Sequence, residues 1–178
     1  MNESARERLV EDPIRRQRFR FSRDGNVLRL EVWADSGGDV PPHFHPAQEE
    51  RFEVLAGDVK FVVDGTEVLA GAGDRAVAKP GVAHSFENVG SEEVHMRVEV
   101  EPAGDMQEFL EEAARLARAG KYTRHGFPRG PRAAIEMAVF AEDYRDTTVV
   151  LSPPRFVQRV FLAPLARFGR RRGLGKSR

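Results

Sequence analysis

The chain has 178 residues, of which 40% are hydrophobic and 31% are charged, a composition typical of a globular protein that can bury a core. Its 28 basic residues balance its 28 acidic residues, so no overall positive field favours nucleic acid, and no nucleic-acid partner is expected. The absence of cysteine excludes disulfides, thiolate metal ligands and cysteine nucleophiles. There is neither a secretory leader nor an apolar run of the roughly 20 residues that span a bilayer, so a cytoplasmic location is predicted.

Short β-like runs make up the first half of the chain. Residues 1–12 are charged and are expected to be flexible, and from Gln17 onward alternating runs follow one another at regular spacing. The dipeptides Asp24-Gly25 and Asp64-Gly65 carry the signal of a type I′ hairpin turn. Strands are predicted at residues 18–22, 27–33, 43–45, 51–55, 59–63, 75–79, 84–89 and 94–100. Their inward residues are predicted to include Leu28, Leu30, Val32, Phe52, Val54, Phe61, Val63, Phe86, Met96 and Val98. This pattern predicts an all-β sandwich or barrel.

Helical patterns replace the strands after Pro102. One helix is predicted over residues 106–117, and a second over residues 131–144 after a basic loop. A third helix is predicted to begin after Pro153 and to kink or end at Pro164. Its large apolar residues share one face that is expected to pack on the barrel; they are Phe156, Val157, Val160, Phe161, Leu165 and Phe168.

Two histidines lie in a segment that favours extended backbone. His43 and His45 are two residues apart, so their side chains point to the same face of a strand. Pro42 precedes the pair and Pro46 follows it, which excludes the interior of a helix. Both imidazoles are therefore expected to point the same way.

Strand phase selects two further candidate ligands. Glu50 alternates in phase with the apolar Phe52, whereas Glu49 does not, so Glu50 is predicted to face inward. His84 is in phase with Phe86 and is predicted to face inward as well. Three imidazoles and one carboxylate are a ligand set found at Fe, Mn, Ni, Zn and Cu sites.

The spacing of these residues resembles the two sequence motifs of the cupin superfamily. The first motif is matched by Gly37, His43, His45, Glu50 and Gly57. The second motif is matched by Gly73, Gly81, His84 and Asn88. One position departs from the pattern, because Lys79 stands where the family usually has proline, and Pro80 follows one residue later. The turn is expected to be kept.

This resemblance implies a mainly β fold, a cupin double-stranded β-helix or jelly-roll barrel over residues 13–102, with C-terminal α-helices over residues 103–168. Residues 169–178 are expected to be flexible, like residues 1–12. The resemblance also implies one divalent transition metal, Fe, Mn, Ni, Zn or Cu, bound by His43, His45, Glu50 and His84. The alternative is that these residues form a polar ligand pocket without a functional metal.

A metal site inside an apolar barrel predicts a small-molecule ligand or substrate. The resemblance to cupin dioxygenases of the quercetinase kind implies an oxygenase in which Glu50 is also the catalytic proton acceptor. Because the superfamily also contains isomerases, decarboxylases, storage proteins and sensors, fold does not decide the activity. A non-catalytic small-molecule-binding module is therefore the alternative.

Two further features concern partners. Trp33 is out of phase with the inward residues of its strand, so it is expected to pack outside the barrel, against a C-terminal helix or the second subunit of a homodimer. His95 is also predicted to face away from the metal. The third helix is basic and amphipathic, and with Arg170, Arg171 and Arg172 it favours weak association with an anionic membrane surface, as the alternative to packing on the barrel.

Overall fold

The computed structural model describes residues 9–151 and 158–175, and within them two antiparallel sheets pack around a shared apolar core. The strands are β1 Val10–Asp12, β2 Gln17–Asp24, β3 Val27–Ala34, β4 Asp39–Phe44, β5 Glu49–Ala56, β6 Val59–Val63, β7 Thr66–Ala70, β8 Arg75–Ala78, β9 His84–Asn88, β10 Val94–Glu101 and β11 Val149–Val150. A six-stranded sheet has the order β1-β2-β3-β10-β5-β8, and a five-stranded sheet has the order β11-β4-β9-β6-β7. The mainly β architecture predicted from the sequence is confirmed.

The core is built by strict alternation along the strands. In β3 every second residue is buried, and Leu28, Leu30 and Val32 expose 1–3% of their surface. Phe52 contributes from the six-stranded sheet, and its ring centroid lies 5.1 Å from that of Phe61 in the five-stranded sheet. Every residue predicted to face inward is buried in this core except Val63, which is partly buried against it. The alternation of apolar residues in the sequence therefore predicts correctly which side chains face the core.

The two hairpin predictions have different outcomes. Asp64 and Gly65 both have positive φ, 51° and 76°, and they connect the paired residues Val63 and Thr66, as a type I′ turn requires. In the other hairpin Asp24 pairs with Val27, so the turn residues are one position later than predicted. There only Gly25 has positive φ, which is the pattern of a type II′ turn.

Asn88 closes the end of β9 with its side chain. It is 2% exposed; its amide nitrogen donates to the carbonyls of Ala34 and Glu92, both at 2.8 Å, and its amide oxygen accepts from the Gly90 N–H at 2.9 Å. One side chain thus bonds three backbone groups and ties the end of β3 to the turn after β9.

Asn88→Ala is expected to lower the free energy of unfolding by about 3 kcal/mol, because it leaves buried backbone groups without partners. Urea denaturation followed by circular dichroism measures the change. Asn26→Ala, in the exposed turn after β2, is the control and should stay within about 0.5 kcal/mol of the wild type. Equal stability of the two variants would contradict a structural role for Asn88.

The first strand corrects the expected boundary of the barrel. Residues 1–12 were predicted to be flexible, but Val10–Asp12 pairs with β2 and extends the six-stranded sheet. Asp12 is buried, and its carboxylate accepts hydrogen bonds from the backbone N–H groups of Ile14 and Arg15. The barrel therefore begins before residue 13, while residues 1–8 lie outside the described part of the chain.

The described residues of the C-terminal part form three α-helices: α1 Met106–Arg118, α2 Pro131–Asp143 and α3 Ala163–Arg171, the last preceded by a π-helical segment, Gln158–Leu162. The first two agree with the prediction within two residues. α1 buries Met106, Ala114, Leu116 and Ala117 and lies against β1. Among the described residues, no helix is long and apolar enough to cross a membrane.

The third helix differs from its prediction in two respects. Pro164 lies in the first turn of α3 rather than at its end, and the helix continues to Arg171, so the first residues of the tail predicted to be flexible are helical. α3 also packs on α2 instead of the barrel, and its buried residues are Ala166 and Gly169. The large residues Val160, Phe161, Leu165 and Phe168 are exposed, so the predicted packing face was wrong. Phe156 and Val157 lie outside the described residues.

Candidate metal centre

The four residues with metal-binding chemistry come from both sheets and meet at one point. His43 in β4 pairs with His84 at the start of β9, and His45 follows directly after β4. Glu50 reaches them from β5 in the opposite sheet. One donor atom from each of the four residues lies within 4.8 Å of every other, so together they could hold a metal ion.

The choice of Glu50 over Glu49 agrees with the geometry. The Oε2 atom of Glu50 lies 2.9 Å from Nε2 of His84 and 3.1 Å from Nε2 of His45. Glu49 instead accepts a hydrogen bond from Nε of Arg51 on the outer face of the sheet. Adjacent residues of a strand face opposite sides, so only one glutamate of the pair can enter the site.

The three imidazoles are oriented by backbone carbonyls. Nδ1 of His43 lies 2.9 Å from the oxygen of Pro41, and Nδ1 of His84 lies 3.0 Å from that of Val82. Nδ1 of His45 lies 2.8 Å from the oxygen of Thr147. A carbonyl only accepts, so each Nδ1 carries a hydrogen, and Nε2 is the atom that each ring offers to the site. Hydrogen bonds from Nδ1 to these carbonyls fix the tautomer that a metal requires.

The electrostatics of the site divide the histidines into two kinds. Burial, reinforced by the neighbouring His84 and His45, lowers the pKa of His43 to about 3, so this ring is neutral. Burial would also lower the pKa of His84, but the hydrogen bond to Glu50, the charge of that carboxylate and the Val82 carbonyl together outweigh burial and raise the pKa above its ordinary value. Burial would raise the pKa of Glu50, yet the hydrogen bonds from His45 and His84 lower it below its usual range. The centre therefore keeps a carboxylate charge facing the imidazole nitrogens.

The C-terminal extension also contributes to the site, which sequence reasoning missed. β11 pairs with β4, with Val150 opposite His43, and the Leu151 N–H donates to the oxygen of Pro42. This pairing places Thr147 and Thr148 beside His45. The run of four β-branched residues at 147–150 predicts a strand. Residue types do not show which backbone carbonyl contacts the site, because every residue has one.

Thr148→Val is expected to weaken metal binding by about threefold to tenfold. This effect is smaller than that of removing every group that orients a histidine ligand. The hydroxyl of Thr148 lies 3.2 Å from Nδ1 of His45, and the substitution removes it while the carbonyl of Thr147 remains. Competition for Zn²⁺ with a chromophoric chelator measures the change. Thr123→Val makes the same replacement at a hydroxyl that accepts the Phe127 N–H in the basic loop, and it should leave affinity unchanged. An unchanged affinity for Thr148→Val would show that this hydroxyl does not help to orient His45.

The other candidates lie outside the centre. His95 faces away, as predicted: its Nε2 lies 2.6 Å from Oε2 of Glu31, and its ring stacks on Trp33 with centroids 4.8 Å apart. Lys79 is exposed. The turn after Lys79 is kept despite the missing proline, because the Val82 N–H donates to the Lys79 carbonyl at 3.0 Å.

The fold and the cluster together define a small antiparallel β-barrel protein with a candidate His₃Glu metal centre. Residues 30–101, which include all four cluster residues, match the cupin domain family. By this match residues 30–101 form a cupin domain, and a helical C-terminal extension follows it. No curated protein sequence matches it significantly.

The solved structures that are similar to the chain have low sequence identity to it. An RmlC-like cupin from Shewanella frigidimarina is 19% identical over 60% of this chain and 93% of its own, with a TM-score of 0.51. KdgF from Halomonas sp. is 18% identical over 56% of this chain and 92% of its own, with a TM-score of 0.51. A conserved protein with a double-stranded β-helix domain from Klebsiella pneumoniae is 26% identical over 48% and 76% of the two chains, with a TM-score of 0.45.

Proposed function

We propose that His43, His45, Glu50 and His84 bind one divalent transition metal and that a small molecule binds beside it. The observation that carries the proposal is the orientation of the rings: each Nδ1 is held by a carbonyl, and Nε2 of His45 and of His84 lies within 3.1 Å of the same carboxylate oxygen. Such pre-orientation lowers the cost of assembling the ligands around an ion.

The donor set suits Fe, Mn, Ni, Zn or Cu, and the ion is of unknown identity. When bound, the ion supplies Lewis-acid activation of an oxygen-containing ligand and, if it is redox-active, chemistry with dioxygen. The chain itself supplies a largely dry, aromatic surround. The three histidines expose 3–8% of their surface, and the ring of Phe52 lies 6.1 Å from that of His84. This environment favours a compact, partly apolar ligand.

Two versions of this function remain as proposals. In the first, the protein is a dioxygenase-like metalloenzyme in which Glu50 also accepts a proton from the substrate. In the second, the site captures a metabolite without turning it over. The role of Glu50 separates the two versions, because both use it as a charged ligand of the ion, whereas only the oxygenase version also requires it to accept a proton.

Metal content and turnover test the proposal separately. Elemental analysis of freshly purified protein is expected to find one divalent metal per chain. Anaerobic reconstitution with Fe, Mn, Ni, Co, Cu and Zn in turn, followed by oxygen and a panel of phenols and dicarbonyls, tests the oxygenase version. Consumption of neither oxygen nor any panel compound would remove that version, whereas failure to retain any of the metals would remove the metal centre itself.

A further inference from the structure

The last described helix presents its large apolar side chains to solvent. Val160 and Phe161 in the π-helical segment and Leu165 and Phe168 in α3 are 61%, 62%, 36% and 42% exposed, and we refer to these four residues together as the outer face of α3. The residues that α3 buries are Ala166 and Gly169, which are small. A helix in a globular protein normally has the opposite arrangement, with its large apolar residues against the core. The outer face is therefore available to a partner.

The orientation of α3 is fixed by close packing against α2. A Cβ atom placed on Gly169 would lie 2.6 Å from a methyl carbon of Val139 and 2.8 Å from one of Ile135, closer than real contacts allow. The Arg170 guanidinium also pairs with Asp143 at the end of α2. Turning the outer face inward would break this ion pair and force larger side chains into a space that admits only glycine and alanine. The exposure of the outer face is thus built into the helix packing.

The C-terminal segment that contains this face carries only positive charges. All 28 acidic residues of the chain lie within residues 1–146, and residues 147–178 contain eight basic residues and no acidic one. On α3 itself Arg167 and Arg171 are exposed beside the apolar side chains, and the Arg172 guanidinium lies 4.3 Å from the centroid of the Phe168 ring. An apolar stripe flanked by arginines is the pattern of helices that lie in the interface of an anionic membrane.

We propose that the outer face of α3 binds the surface of an anionic phospholipid bilayer. Phe161, Leu165 and Phe168 enter the boundary between headgroups and acyl chains, and Arg167 and Arg171 contact the lipid phosphates. A second copy of the chain is a poorer occupant, because symmetric pairing through this face would place two uniformly basic segments against each other. The lipid surface supplies both the apolar layer and the negative charge that the helix lacks.

Vesicle flotation with the full chain tests this proposal. Binding is expected to vesicles of phosphatidylcholine with 30% phosphatidylserine, and not to phosphatidylcholine alone. The double variant Phe161→Ser with Phe168→Ser is expected to reduce partitioning at least about tenfold, since it removes the apolar contribution to binding. Arg167→Gln with Arg171→Gln is expected to reduce it about tenfold, and raising NaCl from 50 to 500 mM should act in the same direction.

The matched control is Val68→Ser with Leu69→Ser, which removes two apolar side chains that are 51% and 71% exposed on the distant edge strand β7. This variant should bind vesicles like the wild type. Binding that survives the α3 substitutions, or that is equal for neutral and anionic vesicles, would overturn the proposal. Concentration-dependent dimerisation without lipid that disappears in the Phe161→Ser, Phe168→Ser variant would assign the face to a protein interface instead. Retained metal content in every variant checks that the barrel is intact.

Discussion

A protein carrying His84→Ala is expected to bind its divalent metal more than about 100-fold less tightly than the wild type, because loss of a direct ligand exceeds the tenfold to 100-fold cost of losing an orienting partner. His84 joins the two sheets at the site, since its Nε2 lies 2.9 Å from Glu50 Oε2. Without this imidazole only two nitrogen donors and one carboxylate remain. Elemental analysis of the freshly purified variant and competition with a chromophoric chelator measure the loss.

His95→Ala is the matched control for this substitution. It removes the same side chain from the same protein, but His95 lies on the outer face of the six-stranded sheet, bound to Glu31. Metal content equal to that of the wild type is expected for His95→Ala, and circular dichroism should show that both variants are folded. If folded His84→Ala keeps the wild-type metal content, His84 is not a ligand and the assignment of the centre is wrong.

The part of the site that the sequence predicts well is the part that depends on strand phase. Residues two positions apart in a strand share a face, and a shift of one residue moves every side chain to the other face. Phe52 is apolar and faces the core, so Glu50 faces inward and the adjacent Glu49 does not. The same argument places His84 with Phe86 inside and His95 outside. These choices need only local information, and the structure agrees with each of them.

The part that depends on distant pairing cannot be predicted in this way. His43 lies opposite His84 because β4 pairs with β9, and strand phase does not specify that pairing. The contact between Nδ1 of His45 and the carbonyl of Thr147 joins residues 102 positions apart. A carbonyl is present at every residue, so residue type alone could not single out Thr147 as the partner that orients this histidine.

The third helix shows where hydrophobic periodicity is insufficient. Its large apolar residues do share one face. The expectation that this face packs against the protein assumes that burial of apolar surface area decides which side of the helix faces inward. In the structure the distance between α2 and α3 decides it, because only Gly169 and Ala166 fit against Val139 and Ile135. Steric fit between two helices depends on both surfaces, so it cannot be predicted from the sequence of one helix.

Metal binding is expected to weaken as the pH falls, beginning at a higher pH than for an ordinary histidine site. The pKa of His84 is raised because Glu50 stabilises its charged form, so at a given pH near 7 more of this residue is protonated than of a free histidine. A metal must displace that proton, and affinity therefore decreases about tenfold for each pH unit below the pKa of His84. His43, with a pKa of about 3, remains neutral in this range and does not add to the slope.

Zn²⁺ competition titrations between pH 5.5 and 8.5, together with proton release measured in weakly buffered solution, test this expectation. Proton release per bound metal is expected to decrease as the pH rises, and to persist to a higher pH than the ordinary histidine pKa of about 6.5 would give. Glu50→Gln tests whether Glu50 causes the raised pKa of His84 or whether the pH dependence is the ordinary titration of histidine. Without the carboxylate, burial is the largest remaining effect on His84 and lowers its pKa, opposed only by the Val82 carbonyl, so the variant should bind metal more weakly but show its pH dependence at lower pH. A pH dependence at the same position in both proteins would mean that Glu50 does not hold the proton on His84.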